Sequence, residues 1–170
     1  MAQIKTNAMR ILDARKIEYE MLTYDNKDGK IDGVSVAEKV GKDPKEVYKT
    51  LVAQGTSKSI FVFVIPVEAE LDLKKAAKAA GEKAIEMLPM KDIQKWTGYI
   101  RGGCSPVGMK KEYKTFLDES SRNLETMVVS AGKIGIQMVI APGKLQEVTK
   151  AEFIPVTKNE RTNNPASEFM

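Results

Sequence analysis

A single α+β domain, with helices packed around a mixed β-sheet, is the fold this sequence predicts. Its 170 residues, 42% of them hydrophobic, suffice for one sizeable core and fall short of two ordinary domains. Segments of helical and of strand periodicity interleave along the chain. Several of the connections are too short to be helical crossovers, which argues against a doubly wound parallel sheet.

The elements follow in order. Thr6 to Lys16 places Ala8, Ile11, Leu12 and Arg15 at helical spacing, and Tyr19, Met21 and Thr23 then recur at every second position, beside the charged Glu18 and Glu20, as a half-buried edge strand does. Ser35 and Glu38 have capping-box spacing and Gly41 stands where that helix would stop, while Asp43-Pro44 reads as the start of a second short helix. Thr50–Ala53 and Ile60–Ile65 are β-rich apolar runs joined through Gln54 to Lys58, a hairpin expected at the sheet centre. Asp72 caps a helix with Leu73, Ala76, Ala77 and Ala80 on one face, Lys74, Lys75 and Lys78 on the other, and Gly81 at its end. Further strands are predicted at Ala84–Leu88, Tyr113–Leu117, Met127–Ser130 and Ile136–Ile140, with short helices near Lys91–Trp96 and Gly143–Thr149. The domain is expected to span 1–157. The polar, aperiodic tail 158–170 reads as disordered.

Composition excludes more than it assigns. The 27 basic against 23 acidic residues leave a net charge of +4, which permits an anionic partner without the dense basic stripe of a dedicated nucleic-acid binder, and no DNA partner is expected. No apolar run approaches the ~20 residues of a membrane span, and the start MAQIKTNAMR lacks a signal-peptide core, so a cytoplasmic protein without membrane association is expected. One cysteine, Cys104, excludes an internal disulfide. The absence of histidine removes the usual general base, the commonest metal ligand and every Ser-His or Cys-His dyad. The acidic group Asp25, Asp28 and Asp32 lacks a glutamate at the end of a calcium loop and reads as a solvated turn. No metal and no cofactor are expected.

Three segments could carry chemistry. Tyr99 to Gly108 sets three glycines and a proline around Cys104 and Ser105, and paired glycines can present amide N–H groups to a carbonyl oxygen or a phosphate. Val47-Tyr48-Lys49-Thr50-Leu51-Val52 brings a lysine and a threonine into an apolar strand, where the ammonium could hold a phosphate or ribose of a nucleotide. Ser130 opens a third small-residue segment, Ser130 to Gly135. Taken singly, each also reads as structure: a tight turn, a lysine snorkelling at a sheet edge, a hairpin.

Taken together, Thr6-Asn7-Ala8, Tyr24-Asp25, Tyr48-Lys49-Thr50-Leu51, Leu73-Lys74-Lys75-Ala76-Ala77, Gly98 through Gly108 and Ser130-Ala131-Gly132-Lys133 resemble the YbaK/EbsC family, in order, from about Thr6 to Ile154. That family includes the Cys-tRNA(Pro) deacylases. The resemblance implies an α+β fold on a mixed, curved sheet, related to the editing domain inserted in some prolyl-tRNA synthetases and acting in trans. It implies Lys49 as the principal functional residue and Gly103 as a second catalytic position. Tyr24, Thr50, Gly102, Ser105 and Ser130 would line the substrate site. The implied partners are the acceptor end of prolyl tRNA and prolyl-tRNA synthetase. The sequence departs from the family pattern at Cys104, where an aliphatic residue is frequent, at Ala131, where a glycine is, and at Ile134, where an arginine is. A lone thiol without histidine to activate it reads as packing. A deacylase of alanine or another small mischarged residue, and a non-catalytic module binding aminoacyl-tRNA or nucleotide, remain alternatives.

Overall fold

The computed structural model describes residues 5–158, and the tail beyond Lys158 lies outside them. Two sheets carry the structure. The larger has the order β4-β2-β3-β5-β8, formed by β2 (Tyr48–Gly55), β3 (Ile60–Pro66), β4 (Ile85–Met87), β5 (Lys114–Asp118) and β8 (Glu152–Ile154). It is mixed: β2 runs antiparallel to β3 and β4, whereas β3-β5 and β5-β8 are parallel. The smaller, β1-β7-β6, is antiparallel and contains β1 (Glu20–Thr23), β6 (Met127–Lys133) and β7 (Ile136–Ile140). A single parallel bridge, Val47 to Val128, joins the two, with the Val128 N–H donating to the Glu46 carbonyl at 2.9 Å. The expected hairpin stands at the centre of the larger sheet, and β1 is an edge strand as its alternation predicts.

Five helices surround the sheets: α1 (Asn7–Ala14), α2 (Gly33–Val40), α3 (Leu73–Ala80), α4 (Met90–Thr97) and α5 (Pro142–Thr149). The Asp72 carboxylate caps α3 by accepting from the Lys74 and Lys75 amides, and Gly81 closes it in the left-handed region at φ 73°. Ala76 and Ala77 of α3 then bury against Phe61, Phe63, Ile65 and Phe116, the last stacked on Phe63 at 5.2 Å between ring centroids. The opposite face of that sheet packs Tyr48, Val62, Val64 and Leu117 against α1 and the Met127, Val129 and Met138 side of the smaller sheet.

Three local expectations are corrected. Ser35 is not the cap of α2. Asp32 is, accepting from the Ser35 amide at 3.1 Å and from its hydroxyl at 2.7 Å, so the helix begins at Gly33, three residues earlier than expected. Asp43-Pro44 forms one turn and no helix, since Val47 is already bonded to Val67 and the sheet claims the apolar run that follows. Ser130 to Gly135 is not all turn: β6 continues to Lys133 through a bulge after Ser130. A 3₁₀ turn at Glu119–Asn123 and the short strand β8 had no clear periodic signal. Among the described residues no helix is long and apolar enough to cross a membrane.

Candidate active site

Strand β2 has one full neighbour and one partial one. Its β3 side is paired from Tyr48 to Gln54, but β4 pairs only with Ala53 to Gly55 on the other side. There β6 meets the chain at Val47 and then diverges, so the edge between is open. The gap is a cleft of about 570 Å³, within the ~300–1,000 Å³ typical of ligand sites. Its walls are Tyr48 to Leu51 of β2, Arg101, Gly102 and Cys104 of the glycine loop, Asp32 to Val34 and Val36 at the start of α2, Val67 after β3, and Ser130 and Gln137 of the smaller sheet. Four of the expected site residues, Lys49, Thr50, Gly102 and Ser130, thus share one cavity.

Lys49 is half-buried. Burial pushes its ammonium below the ordinary lysine range, with the Glu70 carboxylate opposing the shift. Glu70 itself is engaged by Lys158 at 2.8 Å, and among the described residues Lys49 makes no ion pair. An anionic or strongly polar ligand is the partner this cation lacks. Thr50 is its neighbour on the open edge. Among the described residues, only two buried side-chain polar atoms have no hydrogen-bond partner, the hydroxyls of Thr50 and Tyr24. Leaving such a group unpaired costs ~1–3 kcal/mol, so both hydroxyls are candidates for ligand contact. Tyr24 does not line the cleft, but its N–H donates to the Gly135 carbonyl at 3.0 Å. That continues the β1-β7 pairing and puts its side chain on the sheet face shared by Leu22, Gln137 and Ser130.

The remaining expected residues sit elsewhere. Ser105 is fully buried behind the cleft wall, where its hydroxyl accepts from the Val107 amide at 3.2 Å. Gly103 packs so tightly that a Cβ would stand 2.9 Å from the Ile134 nitrogen and 3.1 Å from the Lys133 carbonyl carbon. Its own N–H donates to the Ile100 carbonyl at 3.0 Å. The expected free amide at Gly103 is therefore spent within the loop. Gly102 holds φ at +87° and a Cβ there would meet Ile31 Cδ1 at 2.8 Å. Cys104 packs with Val52, Ile60 and Leu88, and burial raises its thiol to about 11. At neutral pH it is a protonated packing group.

Gln137 is a wall residue that sequence reasoning passed over. It is a buried amide between Ile136 and Met138, directly opposite Ser130, and the signal was the one that marks Lys49, a polar residue inside an apolar strand. The acidic segment also resolves into structure. Asp25 and Asp28 accept from backbone amides two residues on, Lys39 bonds the Asp28 carboxylate at 2.7 Å, and Asp32 caps α2. A second hollow of about 440 Å³ by α1 and β1 is spanned by the Lys5–Asp13 pair and contains none of the expected site residues.

Comparison with known proteins gives the family and the fold. Residues 32–148 match the sequence model of the aminoacyl-tRNA editing domain, and the match contains the whole cleft except Gly29 and Ile31. The chain is 44% identical over 158 residues to EbsC of Enterococcus faecalis, named as a candidate Cys-tRNA(Pro)/Cys-tRNA(Cys) deacylase, with 93% of this chain and 96% of the relative covered. It therefore belongs to the aminoacyl-tRNA editing domain family. The fold also matches two crystal structures, each 20% identical in sequence. For the protein APE2540 the TM-score is 0.80, covering 88% of this chain and 97% of that one. For a candidate trans-editing enzyme for prolyl tRNA synthetase it is 0.77, covering 92% and 100%.

Proposed function

We propose that this protein is a trans-acting deacylase that removes cysteine mischarged on prolyl tRNA, with the acceptor end of the tRNA bound in the β2 cleft and prolyl-tRNA synthetase as the partner that presents it. The observation that carries the reading is Lys49: a half-buried cation without an ion pair among the described residues, at the open edge of a strand, in a chain of the aminoacyl-tRNA editing family. An ammonium there suits the ribose and phosphate of a terminal adenosine. Tyr24, Thr50, Gly102 and Ser130 complete the site, with Gly103 and Ser105 shaping the loop that walls it.

The chemistry must proceed without histidine, and Cys104 is protonated. An aminoacyl ester is already activated, so positioning the ester and stabilising the developing negative charge suffice if a nucleophile is at hand. The substrate supplies one. The cysteinyl sulfur attacks its own carbonyl carbon, the carbon–sulfur bond forms as the carbon–oxygen ester bond breaks, and the thiol proton passes to the departing ribose hydroxyl. The products are a thiolactone and uncharged tRNA.

Such a mechanism selects the amino acid by its thiol rather than the tRNA by its sequence, which suits the two tRNAs in the name of the Enterococcus relative. Choice of prolyl tRNA then falls to the synthetase partner. The test is release of cysteine, S-methylcysteine and serine from prolyl tRNA. Cysteine is expected to be released and the other two retained. Equal release of all three would make water the nucleophile and the protein a broad small-residue deacylase; release of none would leave a binding module.

A further inference from the structure

The open stretch of β2 has a second property, set by its pairing with β3. The Val67 N–H donates to the Val47 carbonyl, so 47, 49, 51 and 53 turn their N–H and C=O groups toward β3 and the even-numbered residues turn theirs outward. Two bonds mark the limits of the outward edge. Glu46 C=O accepts from Val128, and Val52 C=O accepts from Leu88 at 3.0 Å. Between them Thr50 turns both its N–H and its C=O toward the cleft, where among the described residues no strand is paired with it: β4 pairs from Ala53 onward and the β6 bridge lies at Val47.

We propose that the aminoacyl group of the substrate pairs with Thr50 as a one-residue antiparallel strand. A hydrogen-bonded antiparallel pair exchanges two bonds between directly opposed residues, and an extended aminoacyl ester carries the same two groups at the same spacing. Its α-ammonium donates to the Thr50 carbonyl, and its ester carbonyl accepts from the Thr50 N–H. That N–H stays bonded to the oxygen as charge develops on it, which makes the β2 edge the oxyanion donor. The Gly103 N–H is not available for this role, because it is already bonded to Ile100. Opposed side chains in such a pair lie on one face of the sheet, so the cysteinyl thiol comes beside the Thr50 hydroxyl, one of the two buried side-chain groups left without a partner.

This inference rests on the deacylase reading, and two measurements separate the failures. The first is amide resonance shifts in the full chain with 3′-deoxy-3′-(cysteinylamino)adenosine, a non-hydrolysable probe, compared with adenosine alone. The Thr50 amide moves downfield with the cysteinyl probe and not with adenosine; a downfield shift confined to residues 101–104 overturns the proposal. No turnover is needed for this result. The second is single-turnover release of cysteine by Thr50→Pro and Thr50→Val. Proline removes an outward N–H that an edge strand can spare, and valine removes only the hydroxyl. Thr50→Pro is expected to fall a further ~100-fold or more below Thr50→Val, the usual loss for one oxyanion donor. Equal rates in two folded variants overturn the pairing, whereas an inactive wild type overturns the deacylase reading instead. Should Thr50→Pro not fold, the resonance measurement decides.

Discussion

The glycine loop from Tyr99 to Gly108 and the first half of β2 wall the same cleft, and the hydroxyls of Ser105 and Thr50 in them are in opposite states. In the loop the hydroxyls of Tyr99 and Ser105 and the amides of Gly103 and Val107 have partners within it. Gly103 N–H bonds Ile100, Val107 N–H bonds Ser105, and the Tyr99 hydroxyl donates to the Val107 carbonyl at 2.6 Å, leaving Tyr99 at about 12 through burial. In β2, among the described residues, a lysine lacks an ion pair, a buried hydroxyl lacks a partner and the strand edge is open. Folding satisfies polar groups wherever it can, so those left unsatisfied in a cavity mark where a ligand completes the structure. By that criterion we propose β2 as the working surface, with Gly103 and Ser105 of the loop as packing.

The contrast can be broken most severely at Lys49. Lys49→Ala should lower single-turnover deacylation by ~100-fold or more, the scale of a lost transition-state contact, with an unchanged circular dichroism spectrum. The same residue gives a signed pH effect. Its pKa is lower folded than unfolded, so the charged lysine weakens the native state below the folded value, and that penalty disappears as pH rises through the unfolded one. Lys49→Met should therefore match or exceed the wild-type melting temperature at neutral pH, and the margin should shrink at alkaline pH.

The loop should respond in the other currency, stability. Gly103→Ala forces a methyl against the backbone of Lys133 and Ile134, an overpacking cost of ~1–3 kcal/mol visible as a lower melting temperature. The smallest effect falls at Cys104. Cys104→Ala leaves a methyl-scale void among Val52, Ile60 and Leu88, costs ~1 kcal/mol and keeps deacylation, while alkylation of the native thiol is slow at neutral pH.

The sequence revealed the fold where one periodicity dominated, as in the β2-β3 hairpin and in α3 between Asp72 and Gly81. It misled where two local signals competed. Ser35 and Glu38 have the right spacing for a capping box, but Asp32 with Gly33 offers an earlier start. At the site, a polar residue in an apolar strand was a sound pointer to Lys49 and would have found Gln137 as well. The glycine motif was ambiguous because glycine serves close packing and ligand approach alike, and the Gly103 to Ile100 bond with the tight contact at its Cβ position assigns that one glycine to packing. The open edge at Thr50 arises from β4 pairing late and β6 diverging early, which no local pattern encodes.

One measurement addresses the division between wall and working surface directly: single-turnover release of cysteine from prolyl tRNA by wild type, Lys49→Ala and Gly103→Ala, each beside its own melting curve. Release by the wild type, its near loss in Lys49→Ala at unchanged melting temperature, and a stability defect with much the smaller rate loss in Gly103→Ala are the predicted results. A fully active Lys49→Ala, or a Gly103→Ala that melts like the wild type yet cannot release cysteine, would contradict it.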